Sequence, residues 1–224
     1  TGAGGFLGRA LTAELMNSSV NVKGQYRRAE DVQVGLDDAT VFEMSPSSDY
    51  QVHLADVSHL IHLAGCAHRK FTDLELENDF IASRVLFEQA VGAGVERIVY
   101  VSSTAVYGEK SGAAFNHKDP EAPQSGNALN KLKIEMSLKD ITQDSSTTYT
   151  IIRLPLVYGP DVKANFAKLI GLVNSGLPLP FGLVKRNKRS YISTDNFNDF
   201  VKTCILSNKA QNQTFVISDD NDLS

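Results

Sequence analysis

Hydrophobic and polar positions along the chain follow two different periods. The stretch GFLGRALTAELM, from Gly5 to Met16, has apolar residues at the spacing of an amphipathic helix, and VNVKGQY, from Val20 to Tyr26, alternates like a strand. Further segments continue this exchange, with strand patterns over 39–44, 58–65, 92–103 and 148–160 and helix patterns over 73–91 and 129–139. Such an exchange is typical of a parallel sheet with helices on both faces. The pattern therefore predicts an α/β fold with a doubly wound parallel sheet.

The end of the chain has a different character. NFAKLIGLVNSG, over 165–176, predicts a short helix that stops at glycine. RSYISTDNFNDFVKTCIL predicts a strand, an N-cap at Thr194 or Asp195, and a helix. We therefore expect one domain over residues 1–156 and a smaller lobe over residues 157–224.

The chain opens with TGAGGFLG, in which Gly2, Gly5 and Gly8 stand three residues apart directly before a helix. Glycines there allow a tight turn and close approach of the backbone to a pyrophosphate, which the free N–H groups of the helix can bind. The spacing differs from the usual Gly-x-Gly-x-x-Gly fingerprint, and a plain turn is the alternative. Because the motif normally follows a central strand, we expect that the first strand is missing and that the end at Ser224 is truncated too.

The strand after the glycines ends in QYRR, with Arg27 and Arg28. An acidic residue about 20 positions after the glycines normally binds a ribose 2′-hydroxyl, and this strand end has none. Guanidinium groups suit a 2′-phosphate instead, which favours NADP. An exposed basic turn is the alternative interpretation.

Composition narrows the function classes. The net charge of −4 provides no basic surface of the kind that binds nucleic acid, and 42% hydrophobic residues suffice for a sizeable core. No apolar run approaches the roughly 18 residues that span a bilayer. Cys66 and Cys204 are too few and too far apart for a disulfide framework or a metal site. We expect a cytoplasmic protein without a metal, a membrane span or a nucleic-acid partner.

Five motifs occur in order along the chain: TGAGGFLG, HLAG, VSSTAVYG, NKLKIE and RLPLVYGP. Together they resemble the extended short-chain dehydrogenase/reductase family, in particular its NAD-dependent nucleotide-sugar epimerase and dehydratase branch. The downstream stretches NFAKLIGLVNSGLPLPFG and NKRSYISTDNF look like bacterial UDP-glucose 4-epimerase relatives of surface-polysaccharide synthesis. The resemblance implies a Rossmann-like domain that binds NAD or NADP, a C-terminal lobe for a nucleotide-diphosphate sugar, epimerisation of that sugar by transient hydride transfer, and a homodimer formed through the two long helices.

The resemblance also implies roles for individual residues. Ser103 would hydrogen-bond the reacting sugar oxygen, Lys131 would hold the nicotinamide ribose, and Asn78 would lie near the active site. Asn165 and Arg189 would bind the sugar diphosphate, where an arginine suits phosphate geometry. The cofactor would be bound by Gly2, Gly5, Phe6, Leu7, Gly8, Arg27, Glu43, Met44, Leu63, Ala64, Gly65 and Lys131.

Structural alternatives exist for three of these residues. Ser103 could simply end a strand through a backbone hydrogen bond, and Lys131 could be a surface lysine of its helix. Arg189 lies in a basic segment, KRNKR, that could be a solvated loop. We expect Tyr107 and Tyr158, which precede glycines in turns, to be packing residues.

One residue of the family's active site is missing. The family chemistry uses a tyrosine four positions before the lysine, because a lysine-activated phenol can exchange a proton with the sugar hydroxyl. Here Asn127 stands at that position, and an amide has no accessible proton equilibrium. A tyrosine omitted between Asn127 and Ala128 would restore Tyr-x-x-x-Lys, and a base relocated to Tyr107 is a further alternative.

The function therefore has open alternatives. The main interpretation is an NAD(P)-dependent UDP-sugar 4-epimerase. A catalytically impaired protein that only binds NAD(P) or the nucleotide sugar is one alternative, and a keto-sugar reductase or dehydratase is another. Ala105 and Val106 follow Thr104 where a dehydratase usually has an acidic pair, which argues against dehydration.

Overall fold

The computed structural model describes residues 1–66, 70–108, 115, 117–160, 162, 171, 188–220 and 222. Within them the strands are β1 Lys23–Tyr26, β2 Asp38–Val41, β3 His59–His62, β4 Arg97–Ser103, β5 Thr148–Leu154, β6 Leu156–Tyr158, β7 Tyr191–Ser193 and β8 Gln213–Val216. The α-helices are α1 Phe6–Met16, α2 Gln51–Leu54, α3 Asp73–Gly92, α4 Gly126–Thr142 and α5 Thr194–Leu206. Short 3₁₀ helices cover Ala29–Asp31, Thr104–Tyr107 and Asn208–Ala210. None of the helices in these described ranges is long and apolar enough to cross a membrane.

All the paired strands run parallel. The largest sheet has the order β3-β4-β5-β8, while β1 pairs with β2 and β6 pairs with β7. Residues at the start of the chain connect the large sheet to the β1–β2 pair. The amino group of Thr1 donates to the Ile61 carbonyl of β3 at 2.6 Å, and the Ala3 N–H donates to the Gln25 carbonyl of β1 at 3.0 Å. The carboxyl ends of these parallel strands share one edge of the fold, which is where ligands bind in open α/β sheets.

Helices cover both faces of the large sheet. On one face, α3 and α4 bury Leu86 and Leu138 against Ile98 of β4. On the other, α1 and α5 bury Leu11 and Phe197 against Val99 and other sheet residues. Neighbouring residues of β4 thus enter opposite cores, which explains why this strand reads as a continuous apolar run rather than an alternating one. The predicted α/β fold with a doubly wound parallel sheet is confirmed.

Several element boundaries differ from the prediction for local reasons. The predicted strand over 148–160 is divided into β5 and β6 at Pro155, which has no N–H for a ladder. The N-cap of α5 is Ser193, not Thr194 or Asp195, since the Ser193 hydroxyl accepts from the Asn196 N–H at 3.1 Å.

The C-terminal part is only partly described. The predicted helix over 165–176 lies outside the described residues. The short strand β8, which the pattern did not indicate, pairs with β5 at the edge of the large sheet. The division into domains at residue 156 stays a prediction.

Candidate active site

The glycine-rich turn packs tightly against the strand ends. Gly2 has a positive φ of 74°, and a side chain there would stand 2.7 Å from the Ala64 nitrogen. A side chain on Gly8 would overlap the Gly2 carbonyl oxygen. Gly5 is the N-cap of α1, so no side chain caps the helix and its first N–H groups have no partner within the helix. The turn therefore has the shape and the polarity of a phosphate-binding loop.

Replacing Gly8 by alanine is expected to destabilise the protein by about 1–3 kcal/mol and to abolish dinucleotide binding, because the added methyl must push the turn away from Gly2. Chemical denaturation and titration with NADH measure the two effects. Gly92→Ala is the matched control, since nothing lies within 4 Å of its added methyl group and helices favour alanine. Equal behaviour of the two variants would contradict the tight-turn account.

The Lys131 side chain joins α4 to the strand that carries Ser103. Its Nζ donates to the Val101 carbonyl at 3.2 Å and lies 5.5 Å from the centre of the Tyr100 ring. Burial lowers the pKa of Lys131, and the nearby Asp79 carboxylate opposes that shift. Lys131 is thus a half-buried cation at the carboxyl end of β4 rather than a surface lysine.

Ser103 is the last residue of β4 and is half-buried. Its hydroxyl oxygen accepts from the Ala105 N–H at 3.1 Å and so begins the 3₁₀ helix that follows. Because Val101, which accepts from Lys131, is two residues earlier on the same strand, both residues lie at the carboxyl end of β4. That they act as one site stays a prediction.

Asn127 lies in the first turn of α4, which Ser125 caps by accepting from the Ala128 N–H at 3.3 Å. The helix is regular from Gly126 to Thr142, so Asn127 is one turn before Lys131 on the same face. The side chain at this position is therefore directed to the same region as the lysine ammonium.

Asp79 lies among the predicted site residues, and the sequence analysis missed it. Its carboxylate accepts from the Asn130 side-chain amide at 2.9 Å and would lie 3.6 Å from a side chain added to Gly65. Burial raises the pKa of Asp79, while Lys131 counteracts this shift. Its neighbour Asn78, which was expected near the site, is exposed. The helical spacing from Asp79 to the buried Ser83 was the signal that could have identified it.

A buried cluster of charged side chains links the large sheet to the segments that carry Ser103 and Lys131. Arg153, on β5, donates to Glu135 of α4 at 2.6 Å, to the Tyr107 hydroxyl at 2.7 Å and to Glu121 at 2.7 Å. The side chains of Arg153 and Glu135 are 3% and 0% exposed. Tyr107 therefore acts as a packing residue, as predicted, and its hydroxyl is engaged by Arg153 rather than directed to a ligand. The cluster fixes the serine loop and the lysine helix relative to the sheet.

The remaining predicted site residues fall into three groups. Leu63 and Ala64 follow β3 beside the glycine turn, where the Leu63 N–H donates to the Thr1 carbonyl at 3.3 Å. Half-buried or exposed positions around the turn and the strand ends are taken by Phe6, Leu7, Arg27, Glu43 and Met44. Arg189 is exposed and Asn165 lies outside the described residues.

His62, at the end of β3, is a buried neutral residue whose Nδ1 lies 2.7 Å from the Thr1 hydroxyl and whose Nε2 lies 3.0 Å from the Ser83 hydroxyl. Burial lowers its pKa well below the usual value of 6.5. In the pH range below 6.5 the unfolded chain therefore binds a proton that the folded protein does not, so stability falls as the pH falls.

We expect the free energy of unfolding to lose up to about 1.4 kcal/mol per pH unit from this group between about pH 6.5 and pH 5.5. Urea unfolding across that range measures the slope. His62→Gln is expected to flatten it, whereas His117→Gln, at an exposed position, leaves it unchanged. An identical slope in both variants would refute the assignment to His62.

Comparisons with known proteins show the family to which the chain belongs. The model of the NAD-dependent epimerase/dehydratase family matches residues 1–218. The chain is 39% identical over 237 aligned residues to UDP-glucose 4-epimerase of Vibrio cholerae. The alignment covers 100% of this chain and 71% of the relative.

Solved structures give the same picture. MoeE5 in complex with UDP-glucuronic acid and NAD superimposes with a TM-score of 0.83 at 25% identity, over 99% of this chain and 76% of that chain. UDP-glucuronic acid 4-epimerase from Bacillus cereus in complex with NAD gives a TM-score of 0.84 at 21% identity, over 99% and 78% of the two chains, and shows the shared fold. Both the predicted fold class and the family resemblance are confirmed.

Proposed function

Because the chain belongs to the NAD-dependent epimerase/dehydratase family, we propose that it binds NAD at the glycine turn and epimerises a UDP-sugar at the end of β4. The observation that carries the proposal is the link between Lys131 and the strand that ends in Ser103. Structural neighbours that contain NAD, one of them with UDP-glucuronic acid, support the choice of cofactor and substrate class.

The residues present fit a dinucleotide. The turn at Gly2 and Gly8 has no room for side chains, and the uncapped N-terminus of α1 offers N–H groups to a pyrophosphate. Bound NAD supplies reversible hydride transfer, which lets a sugar carbon change configuration without net redox change. The Lys131 ammonium would bind the nicotinamide ribose, and the Ser103 hydroxyl would donate to the sugar oxygen.

This arrangement has no side chain at position 127 that can accept the proton of the sugar hydroxyl. Asn127 cannot take it up, and general acid–base catalysis contributes about 10² to 10⁴-fold to such reactions. We therefore propose slow epimerisation by the chain as its sequence stands, with binding of NAD and of the nucleotide sugar intact.

The test uses UDP-glucose that carries deuterium at the fourth sugar carbon, incubated with the protein and NAD. Expected is a slow appearance of the epimer with the label retained, because the hydride returns to the carbon that released it. Release of the label to water would contradict hydride transfer. NAD binding without any epimer would instead favour the binding-protein alternative, which the asparagine at 127 suggests.

Oligomeric state is part of the proposal. Leu74 on α3 and Leu129 and Met136 on α4 are exposed by 70%, 47% and 59%. The last two are seven residues apart, on one helix face. We propose that these helices pair with those of a second copy, in a cytoplasmic homodimer of polysaccharide synthesis.

Met136→Lys is expected to shift the protein from dimer to monomer in sedimentation at micromolar concentration, because a charge would be buried in the contact. Val52→Lys is the control, since Val52 is 80% exposed on the short helix α2, which is not one of the two helices of the proposed contact. A monomeric parent protein would show the dimer expectation to be wrong.

A further inference from the structure

A compact charge cluster lies beside the glycine turn. Asp31, at the end of the 3₁₀ helix after β1, accepts from Arg9 Nη2 at 2.5 Å and from Arg28 Nε at 2.9 Å. Arg28 also pairs with Glu30 at 3.4 Å. The Asp31 side chain is 15% exposed, compared with 48% for Arg9 and 61% for Arg28. The carboxylate is therefore the centre of the cluster and the two guanidinium groups enclose it.

The cluster is in contact with the turn itself. A side chain added to Gly4 would stand 3.0 Å from the Asp31 Cβ, and Arg9 Nε donates to the Gly4 carbonyl at 3.0 Å. In dinucleotide-binding α/β folds the adenosine ribose lies between the glycine turn and the end of the next strand. Asp31 follows that strand end by five residues and adjoins the turn at Gly4, so it lies in the region between the two.

We propose that Asp31 makes the site select NAD against NADP, by occupying Arg9 and Arg28 and by repelling a 2′-phosphate. This inference rests on the proposed function, because it needs a dinucleotide at the glycine turn. It also revises the expectation that QYRR favours NADP, since Arg28 is already paired.

The charges account for the selectivity. Arg9 and Arg28 are balanced by Glu30 and Asp31, so these four side chains carry no net charge for a phosphate to neutralise. A 2′-phosphate brings about −1.5 to −2 charges. To bind Arg9 and Arg28, the phosphate would have to displace the Asp31 carboxylate. That carboxylate already binds both guanidinium groups through charge-assisted hydrogen bonds, which are among the stronger polar contacts. A ribose 2′-hydroxyl carries no charge and can bind without displacing the Asp31 carboxylate.

The hydrogen bond from Arg28 lowers the pKa of Asp31, so the carboxylate stays ionised at neutral pH. Asparagine at this position would keep the shape and lose the charge. The Asp31→Asn variant should therefore release both arginines for a phosphate without opening the turn.

The experiment is fluorescence titration with NADH and with NADPH, applied to the parent protein and to three variants. The parent is expected to bind NADH at least about tenfold more tightly than NADPH, and Asp31→Asn to reduce that ratio about tenfold by tightening NADPH binding. Adding Arg28→Ala to Asp31→Asn should remove the gain. Glu88→Gln, which neutralises a 47% exposed carboxylate paired with Arg84 on α3 and outside the cluster, should leave the ratio unchanged.

The titrations distinguish failure of the role of Asp31 from failure of the proposed function. A parent protein that binds NADH and NADPH equally, or an Asp31→Asn variant with normal NADH binding and an unchanged ratio, overturns the role of Asp31 alone. A parent that binds neither nucleotide contradicts the proposed function, and the inference falls with it.

Discussion

Replacing Asn127 by tyrosine is expected to raise the rate of UDP-sugar epimerisation by about 10² to 10⁴-fold, the usual contribution of general acid–base catalysis. The position is one turn before Lys131 on a regular helix, so a phenol there would share the region of the lysine ammonium. A nearby cation stabilises a phenolate and lowers the phenol pKa towards neutrality. Initial rates with NAD and a UDP-sugar measure the gain.

Asn127→Phe is the matched control, because it adds the ring without the hydroxyl. It is expected to leave the rate near that of the parent, whereas comparable gains for both rings would attribute the effect to packing. A parent that already turns over at ordinary enzyme rates would contradict the account of a missing base. In that case the intact mass of the protein decides whether a tyrosyl residue is present between Asn127 and Ala128.

Replacing Arg153 by methionine is expected to lower the free energy of unfolding by about 3–5 kcal/mol. The substitution leaves the Glu135 carboxylate, which is 0% exposed, without its ionic partner. It also removes the hydrogen bond to the Tyr107 hydroxyl and the guanidinium that lies 4.8 Å from the centre of that ring. Urea unfolding monitored by circular dichroism measures the loss.

Two variants give this prediction its controls. Arg84→Met breaks an exposed pair with Glu88 on α3 and should cost less than about 0.5 kcal/mol. Adding Glu135→Leu to Arg153→Met should recover much of the loss, because the buried charge is then gone. If Arg153→Met were as mild as Arg84→Met, the cluster would not hold the serine loop and the lysine helix in place.

The hydrophobic pattern was sufficient for the fold because β4 and most of β5 are buried and the helices on either side bury apolar residues against them. Motifs at the ends of strands and helices also indicated where Ser103 and Lys131 lie. Parallel strands bring their carboxyl ends to one edge, so residues far apart in sequence meet there.

The residues that the sequence analysis missed are buried or half-buried polar groups whose partners are distant along the chain. Glu135 looks like an ordinary helix-surface residue until Arg153 is placed opposite it, 18 residues later. Asp79 pairs with Asn130 over 51 residues. A periodic pattern records which face of an element is buried, but it does not record which polar groups meet inside.

Arg28 shows the same limit at the cofactor site. From the sequence it is a free cation next to a strand end, and a phosphate is the natural partner. In the structure its partner is Asp31, which also binds Arg9 from the helix after the glycine turn. The local sequence could suggest the pair of Arg28 with Asp31, but only the tertiary structure supplies Arg9 and the contact with Gly4.

The central claim is that one pocket, formed by the glycine turn, Ser103 and Lys131, receives the dinucleotide and the sugar together. A crystal structure of the protein soaked with NAD and UDP tests it most directly. The account predicts pyrophosphate density at the N-terminus of α1, with a ribose within hydrogen-bonding distance of Lys131 Nζ. A dinucleotide bound elsewhere, or side chains filling the space above Gly65, would contradict it.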